Sequence, residues 1–274
     1  MPNGYAIGDP ILQVKNISLK LGGNQILRGL SFDILDILRE GATTGQIVGL
    51  LGPSGIGKTQ LFRILAGLNK PDSGEVLIGH PGAPVQRGMV GVVAQHYPLF
   101  EHRTVWSNLM VAGAHSGKPQ ADRERRANDL LDRFKLLDRK DHYPAQLSGG
   151  QRQRIAIGQQ IMCSEQFLLM DEPFSGLDCV ALDAVQELIN EVTHSHELNT
   201  TIIVSHDIAA VCEIADQVVL LGREPDENGK QIPGARVMAK YDLGEMGLAW
   251  RKGIASDPVF VRFLEEIRQR FPLL

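Results

Sequence analysis

The chain has 274 residues, enough to bury a full core as one large domain or two small ones, and its 43% hydrophobic content is ordinary for a globular protein. A formal net charge of -4 and a pI of about 6.1 argue against the basic face of a nucleic-acid binder, so no nucleic-acid partner is expected. No apolar run approaches the roughly 18 residues that span a bilayer, and Met1 to Pro10 lacks the basic-then-apolar order of a secretory signal.

Three widely spaced cysteines, Cys163, Cys179 and Cys212, read as buried free thiols and not as a disulfide framework. Ile11 to Leu21 alternates as a strand, and Ile26 to Ile34 reads as its partner across the Gly22-Gly23-Asn24 turn. Leu35 to Thr44 fits no clear pattern. Ile47-Val48-Gly49-Leu50-Leu51 reads as a buried strand. It leads into Gly52-Pro53-Ser54-Gly55-Ile56-Gly57-Lys58-Thr59, which fits G-x-x-x-x-G-K-[ST], a phosphate-binding loop. Glycines let successive N–H groups turn inward at phosphate oxygens. Lys58 is expected on the β- and γ-phosphates of a nucleoside triphosphate, the Thr59 hydroxyl on Mg²⁺, and Gln60 beside them on the first helical turn. Lys58 to Leu68 reads as the following helix, with its positive end toward the phosphates.

Pro71 to Gly74 is a turn, and Glu75 to Ile78 and Met89 to Ala94 are short strand candidates. Tyr97-Pro98-Leu99-Phe100 reads equally as core or as a docking surface. From Thr104 to Asp141 the pattern is helical and charged, clearest over Ala121 to Leu137, with Arg123 to Arg126 on a solvated face. Leu147-Ser148-Gly149-Gly150-Gln151 opens a helix over Arg152 to Met162 and forms a second anion-binding helix N-terminus. One nucleotide does not need two such sites in one subunit, whereas two subunits arranged head to tail do. Phe167 to Met170 is an apolar strand ending in Asp171 and Glu172; the first carboxylate suits Mg²⁺ and the second an attacking water. Leu182 to Glu197 reads as a helix on which His194 and His196 share no face and make poor metal ligands. Thr201 to Val204 and Val218 to Leu221 are further strands, Pro225 to Pro233 is a polar loop, and Pro258 to Arg270 is a surface helix.

In this order the motifs resemble those of the ATP-binding cassette family of transport ATPases, over about residues 10 to 222. The resemblance implies an α/β fold: a P-loop NTPase core with an N-terminal antiparallel β subdomain and an α-helical subdomain inserted at about 95 to 147, and with residues 223 to 274 as a C-terminal extension. It implies Gln95 as a Mg²⁺-sensing glutamine that couples to a membrane partner, and Ser175-Gly176-Leu177-Asp178 as a loop crossing a dimer interface, with Asp178 near nucleotide. It implies Ser205-His206-Asp207 as the segment whose His206 contacts the γ-phosphate. Catalysis would then rest on Glu172, His206 and Gln95, and Mg²⁺ on Thr59, Gln95 and Asp171. Nucleotide would meet the phosphate loop and, across a dimer, Ser148, Gly149, Gly150 and Gln151. Implied partners are a second cassette subunit, identical or paired, integral membrane permease subunits and a substrate-binding protein. The implied place is the cytoplasmic face of the inner membrane, and the stretch FEHRTVWSNL from Phe100 looks most like bacterial importers. A soluble cassette ATPase of translation or DNA repair is the alternative; those usually carry two cassettes or a long coiled coil. A regulatory module without turnover fits poorly with Glu172 and His206 both present.

Three departures stand out. Leu21 occupies the region where the family stacks an aromatic ring on adenine, Leu35 to Thr44 lengthens the link to the phosphate-loop strand, and Gly158-Gln159-Gln160 replaces the usual Ala-Arg-Ala. The first implies looser base selectivity, unless Tyr5 folds in; the others touch packing.

Overall fold

The computed structural model describes residues 5–39, 45–94, 97–163, 167–194, 200–251 and 253–274. Alternating apolar residues on either side of Gly22-Gly23 build a long hairpin, β1 (Tyr5–Leu21) and β2 (Asn24–Arg39). Both turn glycines have positive φ, 55° and 82°, the conformation that tight hairpin turns require. The hairpin is longer than its alternation suggests. Ala6 pairs with Leu38 and Ile7 with Ile37, so part of the stretch beginning at Leu35 is strand, and residues 40–44 lie outside the described residues. A series of register shifts along β1 breaks the period of two there. β4 (Ser73–Ile78) and the two-residue β5 (Ala83–Pro84) complete an antiparallel sheet in the order β2-β1-β4-β5.

The main sheet contains β3 (Gln46–Leu51), β6 (Gly91–Val93), β7 (Phe167–Asp171), β8 (Thr200–Ser205), β9 (Gln217–Gly222) and β10 (Arg236–Asp242), in the order β10-β9-β3-β8-β7-β6. Its strands run parallel except β10, which pairs antiparallel to β9. β3, β8 and β9 are buried along their whole length, which is why they read as continuous apolar runs without alternation. β10 is only half-buried and sits at an edge, so its sequence carries little strand signal.

Helix α1 (Lys58–Leu65) follows β3 and ends three residues before Leu68. Between β6 and β7 the chain makes α2 (Val105–Gly113), α3 (Gln120–Arg133) and α4 (Gly149–Cys163). This helical insertion is locked by polar pins as well as apolar packing. The Asn108 amide caps the turn at Phe100, Arg103 and Thr104, and Gln159 Nε2 donates to Asn108 Oδ1 at 3.0 Å. Gln160 Oε1 accepts from the Val92 N–H at 3.0 Å. The glutamine pair thus fastens α4 to α2 and to the sheet. Helices α5 (Cys179–Thr193), α6 (Ile208–Cys212) and α7 (Pro258–Arg270) cover the same face. α5 starts three residues before Leu182 because the Asp178 side chain caps it, accepting from the Ala181 N–H at 2.8 Å.

Two apolar clusters flank the main sheet. On β3, Ile47 and Leu51 face the helical side, while Val48 and Leu50 face the antiparallel sheet and α1. α7 buries Phe260, Phe263, Leu264 and Ile267, a spacing that keeps one helical face apolar. Cys212 is buried and Cys163 half-buried, but Cys179 is exposed on the first turn of α5, which corrects its reading as a buried thiol. Among the described residues no helix is long and apolar enough to cross a membrane.

Candidate functional site

The phosphate-loop segment joins β3 to α1 at the carboxyl edge of the main sheet. Gly57 caps α1 with φ 112°, and a Cβ there would lie 2.9 Å from Ile26 Cγ2 of the hairpin. A side chain there would force the Ile26 side chain to shift and would be strained by the positive φ. Lys58 is buried at 7% exposure, and its ammonium donates to the carbonyls of Gly52 at 2.7 Å and Pro53 at 3.1 Å. Burial lowers its pKa, and the carboxylates of Glu172 and Asp171 work against that shift. A buried cation beneath a glycine-rich loop at a helix N-terminus is a fitting cradle for a polyphosphate.

Asp171 ends β7 and Glu172 follows it. Asp171 is half-buried, and its pKa is raised, first by that burial and then by the charge of Glu172, with Lys58 opposing. A carboxylate held in surplus negative charge is relieved by a bound cation. Hard oxygen donors from Asp171 and Thr59 match Mg²⁺, which keeps water and phosphate as its other ligands. Among the described residues no cluster of three or more His, Cys, Asp or Glu suited to a metal occurs.

Glu172 has a left-handed backbone, φ 49°, which is uncommon outside glycine. Its N–H continues the ladder to the Val204 carbonyl at 2.8 Å. Its Oε2 accepts from Ser205 Oγ at 2.7 Å, and its Oε1 pairs with His206 Nδ1 at 2.9 Å. Lys58 Nζ stands 3.8 Å from the same Oε1. The ends of β3, β7 and β8 therefore bring Lys58, Asp171, Glu172 and His206 together. Asp207 caps α6, accepting from the Ala210 N–H at 3.1 Å. The Ser205 hydroxyl was given no role by sequence reasoning; its only signal is a hydroxyl residue at a strand end, one step before His206.

The second motif group occupies another wall. Ser148 and Gln151 cap α4 reciprocally: Gln151 Oε1 accepts from the Ser148 N–H at 2.9 Å, and Ser148 Oγ accepts from the Gln151 N–H at 3.3 Å. A Cβ placed on Gly149 or Gly150 would meet nothing within 4 Å. A recess of about 370 Å³ opens between the start of α4 and the loop before α5, and Gly149, Gly150, Gln153, Gly176 and Asp178 all line it. Tyr97, on the same recess, ties this wall to the carboxylate strand. Its hydroxyl donates to the Pro173 carbonyl at 3.0 Å and accepts from Gln153 Nε2 at 2.8 Å. Burial pushes the Tyr97 phenol up to about 12, so it keeps its proton.

Gln95 lies outside the described residues. The segment after it divides: Tyr97 and Leu99 pack against the core, while Phe100 is 46% exposed with Arg103 over its ring. Leu21 is exposed at the tip of β1. Tyr5 is engaged with the C-terminal segment, donating to Asp242 Oδ1 at 3.2 Å and meeting Trp250 edge-on.

The ABC transporter family pattern matches residues 35–175. Among curated proteins the chain is similar to the sulfate/thiosulfate import ATP-binding protein CysA 2 of Rhizobium meliloti (strain 1021), 39% identical over 219 residues, covering 77% of this chain and 57% of that protein. It is similar also to the probable sulfate/thiosulfate import ATP-binding protein CysA of Chlorella vulgaris, 38% identical over 233 residues, covering 83% of this chain and 93% of that protein. The chain spans 57 to 61% of the length of the first relatives it matches. Among solved structures, cbiO1 from Clostridium perfringens, part of the ABC transporter complex cbiONQ, superposes with a TM-score of 0.73 over 96% of each chain. At 24% identity that likeness is one of fold.

Proposed function

The chain belongs to the ABC transporter family, and from that premise we propose that it is the ATP-hydrolysing subunit of a bacterial importer. In this reading it works as a head-to-tail dimer on separate permease subunits at the cytoplasmic face of the membrane, with a substrate-binding protein delivering solute. The relatives' description as import ATP-binding proteins favours import over export and over a role in translation or DNA repair.

The observation that carries the reading is the meeting of Lys58, Asp171, Glu172 and His206 where β3, β7 and β8 end. Ligands of open α/β sheets bind at those carboxyl ends. Gly52, Pro53, Ser54, Gly55, Ile56 and Gly57 wrap the phosphates through backbone N–H groups, and Gln60 borders them. Lys58 leaves the Gly52 and Pro53 carbonyls for phosphate oxygens. Thr59 and Asp171, with Gln95, would hold Mg²⁺, whose charge offsets that of the transferring phosphoryl group. Glu172 orients the attacking water and His206 the γ-phosphate, so the work is positioning and electrostatics. Ser148, Gly149, Gly150 and Gln151, with Asp178, close the partner's site. Crowding inside the chain gives no reason for glycine at 149 or 150, whereas the close approach of a ligand held by another subunit does.

Glu172→Gln tests the reading. It should leave ATP affinity nearly unchanged and lower turnover by about 10²- to 10⁴-fold, the usual effect of losing a general base. Phosphate release measured beside nucleotide binding decides it: turnover within a few-fold of the parent excludes Glu172 as catalytic.

A further inference from the structure

Among the described residues, three side chains contact the Glu172 carboxylate, and two of them have other duties once nucleotide arrives. Lys58, 3.8 Å from Oε1, and His206, 2.9 Å from the same oxygen, are the cation and the ring that turn to phosphate in the function proposed above. His206 is half-exposed and has room to move. The third is Ser205. It is fully buried, it is the last residue of β8, and its backbone is paired to Leu51 of β3. On the other side Asp171 pairs with Val204, so Glu172 lies one register step on, beside Ser205. The Asp207 N–H donates to Ser205 Oγ at 3.1 Å, occupying a lone pair and leaving the hydroxyl proton for Glu172 Oε2 at 2.7 Å. The His206 backbone N–H reaches that oxygen only at 3.4 Å. Glu172 itself carries a left-handed backbone, so its side chain is aimed by what holds it.

We propose that Ser205 is a positioning residue that holds the Glu172 carboxylate in place for the attacking water after Lys58 and His206 have moved to the phosphates. The inference rests on the reading of Glu172 as catalytic. In this role Ser205 works through Oε2 of Glu172 and leaves Oε1, once His206 has moved, for the attacking water. A hydrogen bond to a charged acceptor is worth roughly a 10- to 100-fold effect on an equilibrium or a rate.

The test compares the parent chain with Ser205→Ala, Ser205→Thr and Ser205→Val in steady-state ATP turnover, nucleotide binding and thermal melting. Ser205→Ala should lose about tenfold or more in kcat, with KM and nucleotide affinity within about twofold of the parent. Ser205→Thr should restore most of the rate. Threonine and valine have the same shape, so that pair separates the hydroxyl from packing if the alanine variant fails to fold. Thr and Val variants that turn over alike would overturn the proposal, as would a KM that rises in step with the loss of kcat. A parent chain that binds ATP without turnover sinks the catalytic reading of Glu172 and this inference with it. Parent turnover beside an unaffected Ser205→Ala sinks this inference alone.

Discussion

Asp171 shows what a half-buried charge does to a fold and why such a charge is kept. Burial and the neighbouring Glu172 raise its pKa, so the folded chain holds this proton more tightly than the unfolded chain. The sign follows. Its contribution favours folding at acid pH, below the ordinary carboxylate value, and is lost as pH rises through the raised folded value. Ionising Asp171 in the folded chain therefore has a cost, which Mg²⁺ would offset. Asp171→Asn keeps the size and removes the charge. In chelator and without nucleotide it should melt at a higher temperature than the parent, and Mg²⁺ with ATP should no longer add the stabilisation seen in the parent. A melting temperature equal to or below the parent's in chelator would refute this account of Asp171. The same residue would then be a plain structural acid, with Lys58 pairing outweighing desolvation.

Among the elements, the joint between α4 and β7 carries the most consequence. Tyr97 and Gln153 form a small polar junction on the Pro173 carbonyl, at 3.0 and 3.4 Å, one residue past Glu172. It links the segment beginning at Tyr97, the helix that Ser148 caps, and the strand that ends in Asp171. Tyr97→Phe keeps the ring and removes the hydroxyl, which should cost about 1 kcal/mol of stability, the net worth of a typical hydrogen bond. Because Pro173 and α4 are then less firmly joined, turnover should fall more than ATP affinity does. Melting and turnover measured together check this, and an unchanged melting temperature would show the junction to be idle. None of it was legible in the sequence, since Tyr97 and Gln153 are 56 residues apart and neither belongs to a phosphate motif. What was legible had short-range causes. The buried parallel strands announce themselves as apolar runs, and the phosphate loop as a fixed spacing of glycines before Lys58. β10 was hidden because an edge strand with half-buried faces has no strong period, and the far end of β2 because bulges along β1 break the alternation. The Ser205 contact was hidden because it depends on the register of β8 against β7.

For the whole molecule, the decisive feature is that one chain carries two glycine-led helix starts on different walls. The first, at Gly57, sits over Lys58 and the acidic pair; the second, at Ser148, opens on a recess beside Asp178. Ser148 and Gln151 satisfy each other in the isolated chain, so the cap alone explains those two residues. It does not explain Gly149 and Gly150, where a Cβ would meet nothing within 4 Å. In the proposed dimer, glycines on that open face would let the phosphates bound by a second copy approach the backbone. The arrangement makes a prediction about mixtures. In the proposed dimer, Lys58→Ala would destroy a subunit's own phosphate site, and Ser148→Arg would block the cap it offers to its partner. Each variant alone has two defective sites per dimer. Mixed, a heterodimer has one site with both defects and one with an intact Lys58 facing an intact Ser148. ATP should therefore draw the two variants into a heterodimer that neither forms with itself, visible by native mass spectrometry or by size exclusion with one partner labelled. Absence of any ATP-bound heterodimer, with both variants folded, would mean that the Ser148 wall does not complete the site of another copy. Turnover is the weaker readout, because one intact site need not suffice for a full cycle, whereas ATP-dependent association requires only that the two walls meet around a nucleotide.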